Sequence, residues 1–127
     1  MSKRILLVDD VPSLLAAAGL ALRNMGYVVT STNSGADALC LLKSKPPPDL
    51  LILDLHMPGI DGFDVLRQLG PTAPPVMIIT GSGEKSTIEH LTPTVVRVLH
   101  KPFEHYQLAE AVRSVLAESS HEIPVAQ

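Results

Sequence analysis

The feature that most constrains the fold is a run of four large apolar residues that ends at a carboxylate. Residues 50–53, Leu-Leu-Ile-Leu, run directly into Asp54, and Pro58 and Gly59 follow shortly afterwards. An uninterrupted apolar run of this length predicts a strand that is buried on both faces, and the Pro-Gly pair predicts the loop that follows it. Open α/β folds bind ligands outside the carboxyl ends of such strands, so Asp54 is predicted to lie at a ligand-binding edge.

The rest of the chain alternates between short apolar runs and segments with helical periodicity. The apolar runs predict strands at residues 5–8, 27–30, 50–53, 76–79 and 95–99. Helices are predicted after each strand, including a short or irregular fourth helix at residues 84–91, which Pro93 limits, and a final helix at residues 106–116. This alternation predicts an α/β fold with five parallel strands, flanked by five helices, in the flavodoxin-like order 2-1-3-4-5.

The length of 127 residues predicts a single domain, placed at residues 1–118, with a frayed tail at residues 119–127. A formal net charge of -3 provides no basic face, so we expect no direct binding of nucleic acid or acidic membranes. No apolar run approaches the roughly 18 residues of a transmembrane helix. The single cysteine, Cys40, cannot form an internal disulfide, and its apolar neighbours predict a buried structural thiol, which fits a reducing cytoplasm.

Polar residues follow four of the predicted strands at the point where each strand ends. Asp9 and Asp10 follow the first strand, Asp54 the third, Thr80 the fourth and Lys101 the fifth. Taken singly, each could simply begin a helix, close a turn or face solvent. Together they converge on one edge, where two carboxylates a few ångströms apart repel by about 4 kcal/mol at an effective dielectric of about 20.

Three converging carboxylates therefore require compensating cations, and their oxygen ligands favour Mg²⁺. One divalent ion together with the ammonium of Lys101 would bring the site close to neutrality. Phosphoryl transfer depends mainly on in-line positioning and on neutralisation of oxygen charge, so such a site suits it. Asp54, at the end of the central strand, is the best candidate nucleophile.

The combined pattern resembles a response-regulator receiver domain over residues 4 to about 117. The residues that carry the resemblance are Asp9-Asp10, the segment 54–62 (Asp-Leu-His-Met-Pro-Gly-Ile-Asp-Gly), Thr80 and the segment 101–103 (Lys-Pro-Phe). The resemblance implies that Asp54 accepts a phosphoryl group from a histidine kinase or phosphotransfer protein. It also implies a module that catalyses only its own phosphorylation and dephosphorylation, is otherwise not an enzyme, and switches the binding of a downstream protein target.

The same resemblance implies a role for each residue at the strand ends. Asp10 and Asp54 would ligate Mg²⁺ together with the backbone carbonyl of His56, and Asp9 would assist through water. Thr80 would donate a hydrogen bond to a phosphoryl oxygen. Lys101 would pair with the phosphoryl group, and the peptide bond between Lys101 and Pro102 would be cis.

The chain departs from the receiver pattern near the fifth strand. Receivers usually carry Tyr, Phe or His three residues before the lysine, where this chain has Val98. Valine is too short, and too restricted at its first side-chain torsion, to turn inward as an aromatic ring does. We therefore expect phosphorylation to reorganise residues 80–93, while the fifth strand and the final helix hardly move.

Three alternative functions remain at this point. A receiver-like adaptor would bind partners without phosphorylation, and Val98 favours that interpretation. A haloacid-dehalogenase-type phosphatase also uses a strand-end aspartate and Mg²⁺, but it needs a second aspartate two residues on, where this chain has His56. A flavodoxin-type cofactor binder would cradle a flavin phosphate where Asp9 and Asp10 would repel it.

Overall fold

The computed structural model describes residues 2–43, 46–81 and 94–120, and their elements alternate along the chain as predicted. The strands are β1 (Arg4–Val8), β2 (Val28–Thr32), β3 (Leu50–Asp54), β4 (Val76–Thr80) and β5 (Val95–His100). The helices are α1 (Pro12–Asn24), α2 (Gly35–Lys43), α3 (Gly62–Leu69), with a 3₁₀ turn at Gly70–Thr72, and α4 (His105–Ser120). The strands pair in parallel in the order β2-β1-β3-β4-β5, which confirms the predicted sheet.

Three predictions fall wholly or partly outside the described residues, and one of them is the reorganisation of residues 80–93 on phosphorylation. The predicted helix at residues 84–91 lies in the undescribed range 82–93, and most of the predicted tail lies beyond residue 120. The domain boundary at residue 118 stays a prediction. Helix α4 begins one residue earlier than predicted and continues to Ser120.

Apolar side chains cover both faces of the sheet, as a parallel sheet requires. The α1/α4 core lies on one face and contains Ile5, Leu7, Ala18, Leu22, Val29, Leu50, Ile52, Met77, Ile79, Leu108, Ala111, Val112, Val115 and Leu116. The α2/α3 core lies on the other face and contains Leu6, Val8, Ala38, Leu39, Leu51, Leu53, Leu55, Met57, Val65, Leu66, Val76 and Ile78. Strand β3 contributes to both cores, and all five of its residues are buried.

Local sequence signals fix where the helices begin at the carboxyl edge of the sheet. Pro12 is the first residue of α1, where its missing N–H costs nothing. The Ser34 hydroxyl accepts a hydrogen bond from the Asp37 N–H at 3.2 Å, so Ser34 caps α2. Asp61 and Asp64 form a reciprocal capping box at the start of α3. These caps anchor the loops that surround the carboxylates.

The prediction that Cys40 is buried was wrong, because the side chain is exposed. Successive helical residues are separated by about 100°, so Ala38, Leu39 and Leu42 share one face while Cys40 points away from it. Leu41, one of the apolar neighbours on which that prediction rested, is 39% exposed. A run of apolar residues in a short helix does not by itself show which of them face the core.

Strand β2 runs from Val28 to Thr32, whereas the prediction placed it at residues 27–30. Its polar end pairs with β1 through the register of Val8 with Thr32. Backbone pairing at the edge of a sheet does not require apolar side chains, so a pattern of apolar residues underestimates the length of this strand.

Candidate functional site

The strand-end carboxylates converge at one edge of the sheet. Asp9 and Asp10 directly follow β1, and Asp54 is the last residue of β3, the strand that pairs with β1. One carboxylate oxygen of each of these three residues lies within 4.8 Å of the other two. The predicted acidic cluster therefore exists, and its members come from adjacent parallel strands.

The ammonium of Lys101 joins this cluster from the end of β5. Lys101 Nζ lies 2.8 Å from Asp9 Oδ2 and 3.5 Å from Asp54 Oδ2. The Asp9 side chain is fully buried, and its other oxygen, Oδ1, accepts a hydrogen bond from the Val11 N–H at 2.9 Å. Lys101 thus bridges two carboxylates and lies closer to Asp9 than to Asp54.

This bridge was not part of the sequence prediction, which paired Lys101 with the phosphoryl group. A signal for it existed, because Asp9 directly follows the buried run of β1 and was expected to need a compensating charge. Among the described residues, Asp9 Oδ2 has no hydrogen-bond partner of good geometry. The charge of this oxygen is nevertheless met by the nearby ammonium of Lys101.

Burial and neighbouring charges change the acidity of Asp54, of which only 3% is exposed. Burial raises the pKa of Asp54 to about 6, and the negative charges of Asp9 and Asp10 add to this rise. The Lys101 ammonium and the His56 N–H, which donates to Asp54 Oδ1 at 3.3 Å, oppose the rise without cancelling it. Asp54 is therefore mainly ionised at neutral pH, although less completely than an exposed aspartate.

The neighbouring carboxylates also change the pKa of Lys101, in the direction that favours its charged form. Partial burial disfavours its charged form, but the 2.8 Å ion pair with Asp9 and the negative charge of Asp54 outweigh it, so the pKa of Lys101 is raised above 10.5. Its side chain is 23% exposed, so Lys101 is only partly shielded from solvent. Lys101 is therefore a permanent cation that remains accessible from outside.

Close backbone contacts hold the loop that follows Asp54. A Cβ atom on Gly62 would lie 2.4 Å from the Asp54 carbonyl oxygen and 2.7 Å from Leu55 Cα, so only glycine fits. The Gly62 N–H also donates to the Leu55 carbonyl oxygen at 3.0 Å. Gly59 adopts a positive φ of 76°, which turns the loop back toward α3. The side chains of Leu55 and Met57 are buried, so the loop is anchored at several points.

Thr80 and His56 both belong to segments next to Asp54, one at the end of β4, which pairs with β3, and the other in the loop after β3. Thr80 is the last residue of β4, is fully buried, and accepts a hydrogen bond from the Lys101 N–H at 2.8 Å through its carbonyl oxygen. The Lys101-Pro102 bond is cis, as expected. His56 lies in the loop after Asp54 with an exposed side chain, and its ring meets that of Phe63 edge-on at 6.2 Å between centroids. The sequence pattern gave no indication of this ring contact.

The donor set fits a hard divalent cation. Asp9, Asp10 and Asp54 supply only oxygen atoms, which Mg²⁺ prefers. Three carboxylates and the Lys101 ammonium leave a charge of about -2, which one divalent ion would balance. The buried Asp9 Oδ2, with no well-formed hydrogen bond among the described residues, indicates a site that still has capacity for a cation or its water shell.

The family model of the response regulator receiver domain matches residues 5–113 of this chain. The chain belongs to that family. It is 33% identical over 124 residues to the DNA-binding response regulator MtrA of Mycolicibacterium smegmatis, which covers 96% of this chain and 54% of that protein. It is 31% identical over 121 residues to the transcriptional regulatory protein TrcR of Mycobacterium tuberculosis, covering 93% and 47%. The chain thus spans about half the length of these relatives.

Solved structures agree on the fold. The CheY-like response regulator receiver domain protein from Methanospirillum hungatei superposes with a TM-score of 0.84 at 24% identity, covering 97% of this chain and 100% of that one. At that identity the likeness concerns the fold alone. Within the part of the chain that the structure describes, none of the helices is long and apolar enough to cross a bilayer.

Proposed function

We propose that this receiver domain is the phosphoacceptor of a two-component phosphorelay and that Asp54 is the phosphorylated residue. The proposal depends on one observation above all. Asp54 ends the central buried strand, with carboxylate oxygens of Asp9 and Asp10 within 4.8 Å and Lys101 Nζ 3.5 Å away. Among the described residues, this is the only group of metal-binding side chains of this kind.

The reaction follows from the chemistry of these groups. A carboxylate oxygen of Asp54 attacks the phosphorus of a phosphohistidine on the donor, the P–N bond breaks, and the imidazole leaves with the electron pair and takes up a proton. The product is an aspartyl phosphate. A nucleophile with a pKa of about 6 is ionised at neutral pH, and its position on β3 keeps it in place for in-line attack.

Asp9, Asp10 and Asp54 would hold Mg²⁺, and the backbone carbonyl of His56 would complete the protein ligands. When bound, the ion supplies positive charge to the phosphoryl oxygens and relieves the repulsion among the carboxylates. Lys101 would move from its bridge to pair with a phosphoryl oxygen, and Thr80 would donate a hydrogen bond to another. The loss of the bridge to Asp9 would couple phosphorylation to the position of the Lys101 side chain.

The proposed partners are a histidine kinase or phosphotransfer protein as donor and a downstream protein as target. We place the module in the cytoplasm, where kinases have ATP, and assign it no catalysis beyond its own phosphorylation and dephosphorylation. The names of the relatives describe transcriptional and DNA-binding regulators. Since the residues of this chain carry a net charge of -3, we propose that the receiver domain does not itself contact DNA.

Intact-protein mass spectrometry after incubation with Mg²⁺ and acetyl phosphate tests this assignment. The wild type should gain the mass of one phosphoryl group, and Asp54→Asn should gain none. Asp37→Asn, which changes an exposed aspartate of α2, should be modified as fully as the wild type. Omission of Mg²⁺, or Asp10→Ala, should prevent the reaction. Label retained by Asp54→Asn would overturn the assignment.

A receiver-like adaptor that acts without phosphorylation is the second candidate, and Val98 is the observation that favours it. Val98 is half-buried and packs against the α2/α3 core, so no aromatic ring stands ready to rotate at this position. In the adaptor, affinity for a protein partner would be equal with and without beryllofluoride, a phosphoryl mimic. In the phosphorelay module, the affinity for the partner with beryllofluoride would differ from the affinity without it.

A further inference from the structure

Among the described glycines, Gly35, the first residue of α2, leaves the least room for a side chain, less even than Gly62. A Cβ atom at Gly35 would lie 2.1 Å from the Ile60 carbonyl oxygen and 3.1 Å from Ile60 Cγ2. Only the hydrogen of glycine fits there, and it points at the carbonyl oxygen as in a weak Cα–H···O contact. Helix α2 therefore rests directly on the loop that follows Asp54.

Each side of this contact leads to a residue of the acidic cluster. Ser34 caps α2, and its N–H donates to Thr32 Oγ1 at 3.3 Å. The carbonyl oxygen of Thr32 accepts from the Asp9 N–H at 3.2 Å. Through two hydrogen bonds, the start of α2 is thus tied to the backbone of Asp9, the residue that carries one of the buried carboxylates.

On the other side, Ile60 belongs to a loop with little freedom to adjust. Its side chain packs against the α2/α3 core, and the capping box fixes the next residue, Asp61, to α3. Gly62 then lies against the Asp54 carbonyl group. Because Asp61 and Gly62 are held in place, a displacement of Ile60 would move the residues that precede it in the loop, including Pro58 and His56.

We propose that Gly35 is a positioning residue for the Mg²⁺ site, because it sets the spacing between the Asp9-Asp10 turn and the loop that carries His56. This inference rests on the proposed function, since it concerns the same metal site. A cleft of about 510 Å³ between these two segments is lined by Asp10, Ser34, Gly35, Pro58 and Ile60, among others. A methyl group at position 35 would push its two walls apart at the point where they touch.

The test compares Gly35→Ala with Gly19→Ala. Both replace a buried helical glycine by a better helix former. At Gly19 the nearest atom to a new Cβ is Arg23 Nη1 at 3.2 Å, the end of a flexible side chain that can move away. Mg²⁺ affinity is measured by NMR titration of the folded protein, so that the fraction unfolded does not enter the result.

Gly35→Ala is expected to weaken Mg²⁺ binding by about tenfold or more, the usual cost of losing support behind a metal ligand. The amide signals of Asp9, Asp10 and His56 should already shift in the metal-free variant. Gly19→Ala should bind Mg²⁺ as the wild type does. Should Gly35→Ala unfold in buffer, the titration is repeated in trimethylamine N-oxide, which favours the folded state.

The possible outcomes separate the two proposals. If the wild type itself shows no Mg²⁺ binding, the proposed phosphoacceptor function fails. If the wild type and Gly19→Ala bind Mg²⁺ and folded Gly35→Ala binds it equally well, the function stands and the role of Gly35 is refuted. Equal weakening by both alanine variants would also refute it, because the effect would then not depend on Ile60.

Discussion

Strands β3 and β5 both deliver a charged residue to the site, but their surroundings differ. Strand β3 lies between β1 and β4, and all five of its residues are buried. Strand β5 pairs only with β4 among the described strands, and none of its residues is fully buried. A register irregularity at Val76 and Met77 adjoins its start, and Val96 is 49% exposed.

In the proposed reaction, this contrast would separate a fixed nucleophile from an adjustable cation. Asp54 would meet the phosphoryl donor in line, which favours a position on the most buried strand. Lys101 would leave Asp9 and pair with a phosphoryl oxygen, which favours an edge with fewer packing contacts. The central strand β3 would thus hold its residue rigidly, whereas the edge strand β5 would leave Lys101 more freedom to move.

Truncation of one apolar side chain on each strand tests the contrast most strongly. Ile52→Ala removes a fully buried side chain from β3 and should lower the free energy of unfolding by about 4 kcal/mol. Val98→Ala removes half-buried methyl groups from β5 and should cost about 1 kcal/mol. Urea unfolding followed by circular dichroism measures both. Equal losses would show that β5 is as tightly packed as β3.

Removal of the cation should have the next largest effect. Lys101→Ala leaves the buried charge of Asp9 without its ammonium partner and should cost about 3 kcal/mol in metal-free buffer at neutral pH. Lys43→Ala, at the exposed end of α2, should change stability by less than about 0.5 kcal/mol. Mg²⁺ should restore part of the loss in Lys101→Ala. A loss no larger than that of the control would mean that solvent already neutralises Asp9.

Much of this contrast could be predicted from the sequence. The apolar runs predicted the places of all five strands. They were most reliable for β1, β3 and β4, whose side chains are buried on both faces of the sheet, and they missed the polar end of β2. The convergence of Asp9, Asp10 and Asp54 followed from their places at strand ends, since parallel strands share one carboxyl edge. These features depend on the backbone, and the backbone path follows from local patterns.

Other features depend on side-chain directions or on contacts between distant segments. Lys101 lies closer to Asp9 than to Asp54, and this depends on the conformation of a long flexible side chain that can reach both carboxylates. The outward direction of Cys40 depends on the rotation of α2 about its axis, which four apolar neighbours leave undetermined. The contact of Gly35 with Ile60 joins two loops whose packing no sequence pattern records. Such features required the structure.

The acidity of Asp54 gives a pH-dependent test of the rigid centre. Burial raises the pKa of Asp54 in the folded protein from 3.8 to about 6. Its contribution to the free energy of unfolding is therefore fully present below pH 3.8 and is lost as the pH rises through 6. A shift of this size corresponds to about 2 to 3 kcal/mol. In metal-free buffer, Asp54→Asn should therefore be more stable than the wild type at pH 8 by about 2 kcal/mol.

The advantage of Asp54→Asn should shrink at pH 4.5, where the wild-type carboxyl group is largely protonated. Thermal unfolding at both pH values measures it, and Asp37→Asn, with an exposed side chain, serves as the control. A pH-independent difference between wild type and Asp54→Asn would mean that the carboxyl group is solvated in the folded protein, contrary to its burial.

The smallest expected effect is the change in amide exchange of β5 on phosphorylation. An aromatic ring that turns inward must change the packing along its strand, but Val98 has one strongly restricted torsion and already contacts the α2/α3 core. Amide exchange at Val95–His100 and in α4 should thus change by less than about threefold when beryllofluoride and Mg²⁺ are added. Val98→Tyr, which supplies the usual ring, should enlarge the change in β5. The prediction would be contradicted by a large change in amide exchange in wild-type β5 that Val98→Tyr leaves unaltered. In that case β5 would respond through Lys101, and residue 98 would not limit the response.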